Sequence, residues 1–131
     1  MEKIFNSTSI ILGIVGGFVI TALGGWDGLT ITFIALVILD YITGILKGVY
    51  IKKLSSTQGF KGIIKKVLIL IVVGIAVLLQ EQIGIPAIRE IVITFFIANE
   101  GISILENVAQ MGIKLPNKLK EVLLQLRDKG E

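Results

Sequence analysis

The chain has 131 residues, 53% of them hydrophobic and 18% charged, with a mean hydropathy of +0.88 and a formal charge of +3. That is too apolar for a soluble domain of this size, and the length leaves no room for a separate catalytic module. Cysteine and histidine are both absent, which excludes disulfides, thiol chemistry and imidazole as general base or metal ligand.

Four apolar stretches follow one another. The first runs over about 7–25 and is long enough to cross a hydrocarbon layer roughly 30 Å thick. Its flanks make a poor signal peptide, because Thr21-Ala22-Leu23 is not a small-x-small cleavage site. An uncleaved span is therefore expected. Gly24-Gly25-Trp26-Asp27-Gly28 reads as a turn, with Trp26 at the headgroup interface. The second span covers about 29–46 and contains Asp40. The segment from Lys47 to Lys66 holds Lys47, Lys52, Lys53, Lys61, Lys65 and Lys66 and no acid, so a basic loop against an anionic leaflet is expected. Within it, Ser55 to Gly59 reads as a turn.

The third span, about 63–79, is short in uncharged residues, so Lys65 and Lys66 are expected to snorkel. Gly84 and Pro86 break the chain, with Pro86 in the first turn of the next helix. The fourth span covers about 88–113. After Pro116, Leu119, Val122, Leu123 and Leu126 share one helical face. The residues 114–131 thus form a short amphipathic helix, on the membrane surface or against another copy, with a frayed tail as the plain alternative. The fold class expected is an all-α membrane protein: a transmembrane domain over 1–113 with about four spans, then a cytoplasmic tail.

Charge gives orientation. Of thirteen Lys and Arg residues, twelve flank one side: Lys3, the six lysines of the middle segment, and Lys114, Lys118, Lys120, Arg127 and Lys129. Only Arg89 falls on the other. Basic residues stay on the cytoplasmic side, so both termini are expected inside, and the positive charge does not imply nucleic-acid binding.

Three constellations stand out. In span one, Ser9, Gly13, Gly17, Thr21 and Gly25 recur every fourth residue, a ridge for close helix packing within one subunit or between subunits. Asp40 must face protein or water, since a charge at mid-membrane costs roughly 2.5–3.5 kcal/mol on insertion scales. Thr43, Gly44 and Lys47 lie near its face, and Lys47 can reach back to it. In span four, at about 100° per residue, Asn99, Glu100, Ser103, Glu106, Asn107 and Gln110 fall within about 120° of arc. Ile97, Ile104, Leu105 and Val108 lie outside it. Such a stripe must be hidden from lipid, and its two carboxylates share the arc only with Arg89. Lining an aqueous pore would satisfy them. No nucleophile elbow, phosphate loop or metalloprotease helix is present, and no enzyme, cofactor or metal is expected.

The runs Asp40-Tyr41-Ile42-Thr43-Gly44, Ser55-Ser56 with Gly59, Gly62-Ile63 and Lys65-Lys66, and Phe96 through Asn107 resemble the toxin-secretion and phage-lysis holin family (holin family 4). The likeness covers nearly the whole chain in order and is most specific over Asn99-Glu100-Gly101-Ile102-Ser103-Ile104-Leu105-Glu106-Asn107. It implies a phage or prophage protein of the bacterial inner membrane, which assembles with itself into a lesion releasing a cell-wall hydrolase or a toxin. It carries no catalytic residues. Met1 and Met111 are the only methionines, so an antiholin partner is expected to be another polypeptide or to start at a non-Met codon. From the residues alone, a small channel or transporter using Asp40, Glu100 and Glu106, or a membrane adaptor, remains open beside the holin.

Overall fold

The structure, a computed structural model, describes residues 2–130, with side chains described for 6–129. Five helices follow in order: α1 (Glu2–Ala22), α2 (Gly28–Tyr50), α3 (Ser56–Leu78, extended by a π turn over Leu79–Ile83), α4 (Ile88–Gln110) and α5 (Asn117–Gly130). No strand occurs among the described residues. Gly28–Tyr50, Ser56–Ile83 and Ile88–Gln110 are each long and apolar enough to cross a membrane, and Asn6–Ala22 is a shorter apolar helix.

The boundaries follow from local chemistry. After α1, Gly24 and Gly25 adopt φ of 91° and 104°, and Gly25 N–H donates to Ile20 O at 2.9 Å, closing off the last carbonyls. Asp27 then caps α2, its Oδ1 accepting from Thr30 N–H at 2.9 Å. The expected turn over Ser55 to Gly59 is instead the start of α3. Ser55 is its cap, accepting from Gln58 N–H at 3.1 Å, so the hydroxyl residues begin a helix there. The connection shrinks to 51–55, and Lys47, Lys61, Lys65 and Lys66 are helical.

Pro86 also differs from expectation. It sits in a turn two residues before α4, whose cap is Ala87 at φ 62°. Gln80 explains this start: its Oε1 accepts Arg89 N–H at 2.9 Å, satisfying a first-turn donor from a distant side chain.

Helix α4 is the centre of the bundle. Leu23, Phe33, Val73, Val77, Ile93 and Ile97 form an apolar core between the α1–α2 turn and helices α2, α3 and α4, toward the Arg89 end. Apart from its last turns, α1 stands clear: Ile10 to Val15 and Phe18 are exposed. The tail helix finds a partner within its own chain, since α5 packs along α4. Gly101 makes that approach possible, because a Cβ there would come 2.9 Å from Leu123 Cδ2. With α2 and α3 on one side and α5 on the other, α4 buries Glu100 and Asn107 of its polar arc and Ile97 and Ile102 of its apolar surface.

Candidate functional site

The apolar core gives way to charge halfway along the spans. Asp40 lies twelve residues after the start of α2 and ten before its end, and Glu100 holds the same position in α4. Lys66 of α3 bridges them, its Nζ bonding to Asp40 Oδ2 and lying 2.5 Å from Glu100 Oε2. The Asp40 and Glu100 side chains are only 10% and 5% exposed. Asn107 completes the cluster, its Nδ2 donating to Thr43 Oγ1 at 3.0 Å and Asp40 Oδ1 at 3.3 Å. One base thus serves two carboxylates, at a depth where an unpaired charge facing lipid is costly.

Lys66 is therefore no part of a surface loop, and it takes the place in which Lys47 was expected to reach Asp40. The polar arc of α4 divides. Glu100 and Asn107 are buried, Ser103 and Asn99 are half-buried, and Glu106 and Gln110 are exposed. The arc is met from outside its own helix by a base on α3, which α4's sequence alone does not reveal.

Gly44 is half-buried, with Asn107 Nδ2 3.8 Å from where a Cβ would sit. Lys52, Lys53, Lys61 and Lys65 are exposed and Lys47 is half-buried. Ser9, Gly13, Gly17 and Thr21 are exposed, and nothing lies within 4 Å of a Cβ built at Gly13 or Gly17. Thr21 donates its hydroxyl to Gly17 O at 2.8 Å. The side chain of Lys3 lies outside the described residues.

A second charged group holds the opposite end together. The Arg89 guanidinium bonds Asp27 in bidentate fashion, at 2.9 and 3.1 Å. It also donates to Leu23 O at 2.7 Å and Thr30 Oγ1 at 2.9 Å. This clasp ties the α1–α2 turn to the start of α4. The Arg89 bonds, then the Thr30 N–H, hold the Asp27 carboxyl well below the usual carboxylate range. Sequence reading placed Arg89 and Asp27 at the same end without pairing them. The signal was there: Arg89 is the one base expected at that end, and Asp27 caps the turn facing it.

Comparison with known proteins supplies the identity of this architecture. The profile of the bacteriophage holin family matches residues 17–128. The chain belongs to that family. It is 42% identical over 131 residues to an uncharacterized 14.9 kDa protein in the nagH 3′ region of Clostridium perfringens, covering 98% of this chain and 99% of that one. It is 41% identical over 125 residues to the uncharacterized protein Lmo0128 of Listeria monocytogenes, covering 95% and 87%. A probable holin of Bacillus phage phi105 is 37% identical over 84 residues, 63% of this chain and 62% of that one. No solved structure matches. Membership makes this a membrane protein and points to a non-enzymatic role with membrane association and self-assembly. The apolar helices agree with that placement.

Proposed function

We propose that the chain accumulates in the bacterial cytoplasmic membrane and assembles with itself into a lesion that releases a cell-wall hydrolase or a secreted toxin. The observation that carries this reading is the cluster of Asp40, Lys66, Glu100 and Asn107 at mid-depth. In a closed subunit one ammonium group serves two carboxylates. A water-filled lumen hydrates all three, so the cluster favours a wet, assembled state over a dry one. Asn99, Ser103, Glu106 and Gln110 extend the same arc and would line that lumen. The open ridge of Ser9, Gly13, Gly17 and Thr21 offers a contact face for a second copy.

The basic ends of α2 and α3 are assigned to the cytoplasmic side, with the Arg89–Asp27 clasp outside. A cysteine at Lys52 or Ser56 should then react only with permeant reagents, and one at Gln82 from outside. External labelling at Ser56 would sink this topology. The functional test is inducible expression with a soluble cell-wall hydrolase. Growth should stop abruptly after a delay, with release of the hydrolase.

A second reading has one observation in its favour. Two cavities, on either side of the cluster, share Asp40, Lys66 and Ser103 in their walls, as a cation path through one subunit would. That channel would depolarise cells without releasing a folded protein, and the same experiment separates the two.

A further inference from the structure

An open cavity of about 470 Å³ lies between α2 and α3, with Ser103 and Asn107 of α4 also in its wall, within the size range of small-ligand sites. Lys47 in the last turn of α2, Lys53 in the connection, and Lys65 and Lys66 on α3 all stand in its wall, against the single carboxylate of Asp40. Lys66 is engaged at the inner end by Asp40 and Glu100. Among the described residues, no ion pair engages Lys47, Lys53 or Lys65. Three ammonium groups without counter-ions around one concavity repel one another and focus a positive potential into it.

The backbone holds this arrangement at a cost. Lys52 takes φ 60°, in the left-handed region. Lys53 N–H returns to Gly48 O at 2.9 Å and Lys52 N–H to Val49 O at 3.2 Å, closing α2 with a motif that usually has glycine at the Lys52 position. The turn sets Lys53 on the cavity wall, which Lys65 of α3 shares. Ile45 and Leu54 share the wall with the lysines, so it is cationic and aliphatic at once. Lys47 and Lys53 lie where α2 ends, at the level a headgroup would occupy.

We propose that this cavity binds a phosphate group, carried by an anionic phospholipid whose acyl chains run along Ile45 and Leu54. The chemistry is that of ammonium groups on a phosphate, with the apolar wall favouring a lipid as its source over free phosphate. Basic pockets between membrane helices suit such headgroups. The inference rests on the cavity and on the chain's membrane placement, and stands whether or not a lesion forms.

The test uses the full chain in neutral detergent with phosphatidylglycerol, phosphatidylcholine or inorganic phosphate. Bound lipid is counted by native mass spectrometry, and the unfolding temperature is followed in parallel. Phosphatidylglycerol should be retained and should stabilise, while phosphatidylcholine should not. Lys47→Gln, Lys53→Gln and Lys65→Gln together should weaken retention by roughly 100-fold. The matched tail triple, Lys114→Gln, Lys118→Gln and Lys120→Gln, changes the net charge equally and should retain the lipid. Should the cavity triple not fold, Lys53→Gln alone, in an exposed turn, should still lower retention several-fold. If millimolar inorganic phosphate displaces the lipid and stabilises equally, the phosphate site stands with free phosphate as its ligand. Equal retention of phosphatidylcholine, or equal losses in the two triples, would overturn the proposal by showing diffuse surface charge instead.

Discussion

Replacing Lys66 by methionine keeps the length and apolar stem of the side chain and removes its charge. Asp40 and Glu100 already share one base, so the variant adds one uncompensated carboxylate to the interior of the bundle. Removing one partner of a buried pair costs roughly 3–5 kcal/mol. A second route gives the same size. Neutralising an ordinary carboxylate with a reference pKa of about 4 at pH 7 takes about three units of 1.36 kcal/mol, or about 4 kcal/mol. The sign of the pH dependence follows. A carboxyl forced to be neutral in the folded variant binds a proton that the unfolded chain lacks above pH 4, so the deficit shrinks as pH falls. By pH 5 it should be about 1.4 kcal/mol. The assay is equilibrium unfolding in mixed micelles at both pH values, with exposed Lys65→Met as the control. Adding Glu100→Gln to Lys66→Met should restore most of the loss at pH 7. If Lys66→Met matched Lys65→Met at pH 7, the triad would not hold the bundle together.

Glu100→Gln alone leaves Lys66 paired one-to-one with Asp40, so it should stabilise the closed subunit and delay lysis at equal membrane accumulation; unchanged lysis time would remove this carboxylate from triggering. At the other end, the depressed Asp27 carboxyl contributes stability that is fully present above about pH 4 and lost only as pH falls well below it. Thermal unfolding of wild type and Asp27→Asn should therefore differ by a constant amount from pH 5 to 7 and converge in stronger acid. Gly24→Ala meets both a left-handed backbone and the Arg89 side chain, and should lose at least about 1 kcal/mol in the same unfolding assay; a neutral result would contradict the clasp. Gly101→Leu should dislodge α5 and make the tail protease-sensitive, whereas Gly101→Ala requires only that the Leu123 tip shift; a protected tail in Gly101→Leu would refute that packing. Gly17→Leu should leave insertion intact and reduce crosslinking between copies, and unchanged crosslinking would show that this ridge faces lipid.

Hydropathy and charge alone determined the class of this protein, because an apolar run long enough to cross a bilayer has few other fates in water. They also marked Asp40 and Glu100 as residues needing partners, since intramembrane carboxylates are costly whatever surrounds them. The break between the first two spans was legible in its glycines, Gly24, Gly25 and Gly28, but it reads as a turn and does not reveal the cap that Asp27 makes. Ser55 was misread in the same way, because its hydroxyl suits a turn and a helix start equally. That ambiguity hid the true start of α3 and with it the depth of Lys66, ten residues into the helix and level with Asp40. What only the tertiary structure decided is which groups meet across helices. Lys66 faces inward between two carboxylates although Lys65 beside it is exposed, Arg89 closes on Asp27 sixty-two residues away, and Leu123 fills the space over Gly101. Periodicity along one helix specifies its faces but not its neighbours. The choice among neighbours rests on how several helices share one buried volume and one set of charges.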